Sequence, residues 1–201
     1  MKQHVKHWYE KDGRFFKVLS ISGCIDEKSA SNLDISKSRL RNMEKDKLIE
    51  KKTMPSRSNK NIKSVQGYVL TSKGKKFIEQ KYQISRNSSG TVSEHNLKVC
   101  SIISKLDKNE IESVRSEWEV RSELEETIDK MRTEGDMDRY DYYMDLWKEG
   151  RISAPDITYT SIQTGETISI EVVTSNYSSD DIAAKEMAFE IMEVQGQFER
   201  V

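Results

Sequence analysis

The sequence predicts a two-domain protein of the α+β / α/β class, and three observations lead to this class. Charge is divided unequally, with 21 Lys+Arg against 9 Asp+Glu in residues 1–90 and 12 against 25 in residues 91–201. The first part has the pattern of three helices, two short strands and a closing helix. The later part has the pattern of a helix, a strand, a hairpin and a helix. We therefore predict domains at 1–83 and 94–201, joined by the polar linker ISRNSSGTVS at 84–93.

Apolar spacing and capping residues place the elements of the first domain. Phe15 and Phe16 belong to an apolar helical series that stops near Gly23. Asp26 and Ser36 are expected to cap the second and third helices, because short polar side chains accept hydrogen bonds from the first free amides. Two strands with a polar, basic loop between them follow, and then a closing helix capped by Thr71 or Ser72.

This order resembles a winged helix-turn-helix, and the resemblance is carried by SRLRNMEKDKLIEKK and GYVLTSKGKKFIEQ. In that motif the start of the third helix enters the major groove, where Arg and Asn can pair with base edges, and the wing loop contacts phosphates. The groove-facing residues are predicted to be Lys37, Ser38, Arg39, Arg41 and Asn42, and the wing contacts Arg57, Lys60 and Lys63. The charge of +12 favours DNA over the alternative, a winged helix that contacts protein.

The second domain begins with a helix that Ser93 caps. The next stretch, SVRSEWEV, alternates and favours a strand, although a helix also fits. Residues 122–149 predict two helices that are interrupted near TEGD. Pro155 then starts a strand, Gly165 provides a turn, and a returning strand leads to a helix capped by Ser178 or Ser179.

The hairpin carries a Pro-Asp pair and, fifteen residues after Asp156, Glu171 within an apolar strand. This pattern resembles the Pro-Asp … Asp/Glu-x-Lys (PD-(D/E)xK) nuclease superfamily, which implies a nuclease-like α/β domain at 94–201. The resemblance implies that Asp156 and Glu171 hold Mg²⁺ with the Val172 carbonyl, and that Glu94 completes the site. Without the resemblance, Asp156 is a cap at a strand start and Glu171 an exposed strand carboxylate.

The chain departs from the nuclease pattern at one position, because Val173 stands where the lysine is expected. Lys185 on the following helix could reach back to the acids, but its spacing also suits a surface residue, which we favour. The sequence also leaves little room for a further core strand after that helix. We therefore predict a degenerate domain that does not cut DNA. The alternative is a Mg²⁺-dependent endonuclease that uses Glu94, Asp156, Glu171 and Lys185.

The whole layout resembles the replication-relaxation family of plasmids, phages and integrative elements. The matching pieces are GYVLTSKG, SEHNLKVCSII and APDITY…ISIEVVT, within residues 12–190. The resemblance implies a DNA-binding accessory protein whose nuclease-like domain often lacks the lysine. It also implies that His95 is a shared position, with no role assigned.

These features together predict a sequence-specific double-stranded DNA-binding protein of a mobile element. We expect a homodimer, with a replication or transfer protein as a further partner. No cofactor is expected for DNA binding, and Mg²⁺ only if the nuclease-like site is intact. No apolar stretch is long enough for a membrane span, so a cytoplasmic protein with reduced core cysteines, Cys24 and Cys100, is expected. A regulator that senses a small ligand is a third alternative.

Overall fold

The computed structural model describes residues 3–55, 64–85 and 90–201. It is a mixed α+β structure with two small sheets, which confirms the predicted class. The chain divides into two compact units, Met1–Glu112 and Ser113–Val201. Within the described ranges, every helix is too short or too polar to cross a lipid bilayer.

The first unit has the order of elements that the sequence predicts, followed by two further helices. Its elements are α1 (Glu10–Ser22), α2 (Glu27–Asn32), α3 (Lys37–Lys45), β1 (Ile49–Pro55), β2 (Ser64–Leu70), α4 (Ser72–Tyr82), α5 (Glu94–Ile103) and α6 (Lys108–Ser113). Strands β1 and β2 form an antiparallel ribbon in which Ile49 pairs with Leu70 and Pro55 with Ser64. The predicted wing contacts Arg57, Lys60 and Lys63 lie outside the described residues.

The predicted helix caps of the first unit are confirmed. The side chains of Asp26, Ser36, Thr71 and Ser93 each accept a hydrogen bond from a backbone amide in the first turn of the helix that follows. Helix α1 ends at Gly23, whose φ of 78° lies in the left-handed region that glycine adopts without a steric penalty.

The unit boundary lies after Glu112 and not in residues 84–93, because α5 packs into the first unit. Val99, Cys100 and Ile103 of α5 are buried, and the Asn32 side-chain amide of α2 donates to the Ser104 hydroxyl at 3.2 Å. Cys100 lies beside Cys24, and both are buried free thiols, as predicted. Burial raises the pKa of Cys24 to about 11 and that of Cys100 to about 12, so both thiols remain protonated near neutral pH.

The second unit contains a four-stranded sheet and three helices. Its elements are β3 (Arg115–Ser116), α7 (Glu117–Thr133), α8 (Met137–Lys148), β4 (Ile157–Thr160), β5 (Thr167–Val173), α9 (Ser179–Ile191) and β6 (Gln195–Arg200). The strand order is β3-β4-β5-β6, in which β3, β4 and β5 are antiparallel neighbours and β6 runs parallel to β5. Gly165 turns the hairpin with a φ of 74°, and Ser178 caps α9, as predicted.

The strand predicted in SVRSEWEV is wrong beyond Ser116. Ser116 caps α7 in a capping box with Glu119, and this local signal overrides the alternation of the side chains. Trp118, which the alternation places with Val120 on one face, is 60% exposed, whereas Val120 is fully buried. The helical series Val120, Leu124 and Ile128 forms the buried face instead.

The expectation that the sequence leaves little room for a further core strand after the last helix is also wrong. Strand β6 pairs along β5 from Ile168↔Gln195 to Val173↔Arg200. Strand β6 has six residues, and all six pair with β5, so a short segment after α9 is enough to extend the sheet. The strand therefore places Glu171 in the interior of the sheet, between β4 and β6.

Candidate functional site

Helix α3 carries the basic side chains that the sequence proposes for contact with the major groove, and strand β1 of the ribbon adds two lysines that the sequence analysis did not single out. Lys37, Ser38 and Arg41 are exposed on α3, and Asn42 is partly buried. The Lys37 ammonium forms an ion pair at 2.9 Å with Glu27 of α2. On β1, Lys51 and Lys52 are exposed as well. Two elements of the first unit thus present cationic groups to solvent.

Arg39 differs from its neighbours on α3, because its guanidinium is directed into the first unit. Its Nε and Nη2 atoms donate to the two oxygens of Asp12 at 3.0 and 2.6 Å, and Nη2 also donates to the His7 carbonyl. The guanidinium lies 5.2 Å from the ring centroid of Trp8. Asp12 is fully buried. Arg39 therefore anchors α3 to α1 in this structure, and its contact with base edges stays a prediction.

No sequence pattern singled out Asp12 as a partner of Arg39. Its carboxylate also accepts a hydrogen bond of 2.8 Å from the backbone amide of Tyr9, the residue before α1. This hydrogen bond caps the start of the helix. An acid three residues into a helix is the third-position signal of a capping box, so the helix-end role was recognisable. The pairing with Arg39 was not, because 27 residues separate the two partners.

In the second unit, the hairpin β4–β5 brings the two predicted acids together. The backbone amide of Asp156 donates to Glu171 Oε2 at 3.0 Å, and the backbone amide of Val172 donates to Asp156 Oδ2 at 2.8 Å. Glu171 thus accepts a hydrogen bond from the backbone of Asp156, and Asp156 accepts one from the residue that follows Glu171. Glu171 has no exposed surface, so it is not the exposed strand carboxylate of the alternative interpretation.

Lys185 is buried, and the preference for a surface residue is wrong. Its Nζ lies 3.0 Å from Glu171 Oε1 and donates to the Ala154 carbonyl at 2.6 Å. The lysine stem crosses the interior because α9 packs over the sheet, with Ala184 and Ala188 also buried along the same helix. The ammonium supplies the positive charge that a buried carboxylate requires.

Tyr177 also contacts Glu171, and the sequence analysis did not predict it as a site residue. Its hydroxyl donates to Glu171 Oε1 at 2.5 Å from the turn between β5 and α9. Burial, followed by this hydrogen bond, raises the pKa of Tyr177, so the hydroxyl keeps its proton and acts as a donor. A single aromatic residue in the small, polar stretch TSNYSS is the only sequence signal for it.

The pKa of Glu171 is raised above its ordinary value, with burial as the largest cause, although opposing effects act on it. Burial and the nearby Asp156 raise the pKa, whereas the ion pair with Lys185 and the hydrogen bond from Tyr177 lower it. The carboxylate is thus held by three donors, namely the Asp156 amide, the Tyr177 hydroxyl and the Lys185 ammonium. We call Asp156, Glu171, Tyr177 and Lys185 the carboxylate–lysine cluster.

In this arrangement the carboxylate–lysine cluster does not fit a divalent cation. Both oxygens of Glu171 already accept protein donors, and the Lys185 ammonium lies where a cation would have to approach Oε1. Among the described residues, no group of three or more His, Cys, Asp or Glu side chains is placed to hold a metal. Glu94, the third acid that the resemblance implies, lies in the first turn of α5 in the other unit.

An open cavity of about 430 Å³ lies beside the cluster, between the end of β5 and the start of α9. Tyr177 lines it together with Ser178, Ile182 and Arg200. Tyr177 thus lines the cavity, and its hydroxyl also donates a hydrogen bond to the buried Glu171.

Comparisons with protein-family models, with curated proteins and with solved structures found no match to this chain.

Proposed function

We propose that the protein binds double-stranded DNA sequence-specifically through its first unit, acting as a winged helix-turn-helix. One observation carries the proposal. Lys37, Ser38 and Arg41 are exposed at the start and middle of α3, while Arg39 of the same helix is fixed to a buried acid. A helix anchored on one side and basic on the other suits insertion into a major groove. Lys51 of the ribbon, which shares Glu27 with Lys37 of α3, suits a phosphate contact.

The second unit is proposed as a nuclease-like scaffold that does not cut DNA. Asp156 and Glu171 stand at the positions of the nuclease pattern, but Lys185 and Tyr177 both contact Oε1 of Glu171, and the Asp156 amide donates to Oε2. The role proposed for this scaffold, dimer formation or the docking of a replication or transfer protein, follows from the sequence resemblance. The assignment to a mobile element and to the replication-relaxation family rests on the sequence resemblance.

The proposed DNA binding is tested by selection from a library of random duplexes of about 25 base pairs, long enough for two half-sites. We expect enrichment of one sequence, binding that weakens steeply with salt, and an affinity that EDTA does not change. Arg41→Ala should reduce the discrimination between the selected and a scrambled duplex by about 1–3 kcal/mol.

Lys76→Ala is the matched control, because it removes the same charge from an exposed position on α4. It should leave the discrimination unchanged. If no sequence is enriched, or if both variants lose discrimination equally, α3 is not the recognition helix.

A metal-dependent endonuclease is the second candidate function, and one observation favours it. The two acids of the nuclease pattern converge with a lysine from the following helix, since Lys185 lies 3.0 Å from Glu171 and the backbone amide of Asp156 donates to the same carboxylate. This function requires Glu171 to exchange its present partners. Incubation of supercoiled plasmid with the protein and Mg²⁺ or Mn²⁺ tests it.

Nicking that is lost in Asp156→Ala and kept in Asp145→Ala, an exposed acid of α8, would establish the endonuclease. An absence of nicking with either metal ion would exclude this function for the purified protein.

A further inference from the structure

Glu27 connects the two basic elements of the first unit. It is the first residue of α2, and its two oxygens contact lysines from different elements. Oε2 lies 2.9 Å from Nζ of Lys37 at the start of α3, and Oε1 lies 3.7 Å from Nζ of Lys51 on β1. A single carboxylate therefore bridges the proposed recognition helix and the ribbon.

This bridge is solvent-accessible and remains ionised. The side chains of Glu27, Lys37 and Lys51 are 38%, 75% and 41% exposed. The hydrogen bond from Lys37 holds the pKa of Glu27 below its ordinary value, and Lys51 acts in the same direction. Exposed pairs of this kind are weak, so another anion can displace the carboxylate from either lysine.

A carboxylate and a phosphate oxygen are equivalent acceptors for an ammonium group. Lys37 and Lys51 lie on the two elements through which the proposed function places DNA. An incoming phosphate would therefore compete with Glu27 for both lysines, while the charge of Glu27 repels the DNA backbone.

We propose that Glu27 is an internal competitor of DNA phosphate that limits the affinity of the first unit for any duplex. The inference rests on the proposed DNA binding and adds to it a residue that sets affinity without contacting bases. Because phosphate contacts carry no sequence information, Glu27 acts equally on selected and scrambled duplexes. Site preference remains with α3.

Substitution of Glu27 by Gln tests the proposal in the full chain. Binding of a random-sequence duplex of about 25 base pairs is measured as a function of salt concentration. We expect Glu27→Gln to bind about three- to tenfold more tightly at low salt, and the slope of log K against log salt to steepen by about one. The ratio of affinities for selected and scrambled duplexes should not change.

Glu50→Gln is the matched control, because it makes the same change in net charge on the ribbon. Glu50 pairs with Lys52 at 3.2 Å, and these side chains point to the opposite face of β1 from Lys51. We expect a change in affinity below about twofold. Lys37→Gln added to Glu27→Gln should return most of the gain, since the released lysine is then removed.

The outcomes separate this inference from the proposed function. If the wild type binds no duplex at any salt concentration, both fail. If the wild type binds but Glu27→Gln equals Glu50→Gln, or binds more weakly with an unchanged salt slope, Glu27 only braces α2 against α3 and β1. Thermal unfolding of each variant verifies that the fold is intact.

Discussion

Two fully buried carboxylates, one in each unit, have a basic partner from a distant part of the chain. Asp12 is held by Arg39, and Glu171 is held by Lys185. An unpaired charge in a protein interior costs several kcal/mol. Removal of Arg39 or Lys185 would leave such a charge on its acidic partner. The two pairs are therefore the residue-scale features most sensitive to substitution.

Lys185→Met retains the length of the side chain but removes the ammonium from Glu171. We expect a loss of about 3–5 kcal/mol in the free energy of unfolding, because a buried carboxylate is left without its counter-charge. Chemical denaturation measures the loss. Lys148→Met, at an exposed pair with Asp145, should cost less than about 0.5 kcal/mol. Equal effects of the two substitutions would refute the interior role of Lys185.

Arg39→Ala separates anchoring from DNA contact. Removal of the guanidinium leaves Asp12 buried and frees the start of α3, so we expect a loss of about 2–4 kcal/mol in the free energy of unfolding. Arg41 lies two residues further along α3 and is exposed, so Arg41→Ala should change the free energy of unfolding by less than about 0.5 kcal/mol. The prediction fails if Arg39→Ala unfolds at the denaturant concentration of the wild type.

At the scale of elements, the packing of α9 on β6 depends on a glycine. A Cβ placed at Gly196 would lie 2.0 Å from a ring carbon of Phe189 on α9. The Phe189 ring therefore rests directly on the backbone of β6, and it also contacts the ring of Phe198 at 5.6 Å between centroids. This contact fixes the edge strand beside Glu171.

Gly196→Ala should be destabilising because the added methyl group forces the Phe189 ring to move. We expect a loss of about 1–3 kcal/mol in the free energy of unfolding. Gly13→Ala is a control, since its nearest neighbour is a Tyr82 ring carbon at 3.2 Å, and it should cost less. In a double-mutant cycle, Phe189→Leu should recover part of the loss; strict additivity would show that the ring is not the obstacle.

At the scale of the whole molecule, the extent of the first unit is the testable feature. Helix α5 belongs to this unit and contributes Val99, Cys100 and Ile103 to its buried interior. We expect a fragment of residues 1–112 to unfold cooperatively. A fragment of residues 1–93, cut at the predicted linker, should be less stable by more than about 3 kcal/mol, because several buried apolar side chains are lost.

Denaturant unfolding of the two fragments, followed by circular dichroism, measures this difference. Equal unfolding midpoints would mean that α5 contributes nothing to the first unit, and would restore the predicted boundary at 84–93.

Local signals in the sequence determined the order of elements from α1 to α5 and most helix starts. Asp26, Ser36, Ser93 and Ser178 cap their helices as predicted, because a cap depends only on the next three residues. Gly165 turns its hairpin for the same local reason. Where two local signals competed, at Ser116, the capping box prevailed over side-chain alternation.

The sequence pattern also located Asp156 and Glu171, and the tertiary structure decided what surrounds them. Whether Lys185 is a surface residue or the counter-charge of Glu171 depends on how α9 lies on the sheet. The same applies to Arg39 and Asp12, which are distant in the chain. A buried carboxylate needs a basic partner because an unpaired buried charge is costly. Which carboxylates are buried depends on how helices and strands pack, and a local sequence pattern does not specify that packing.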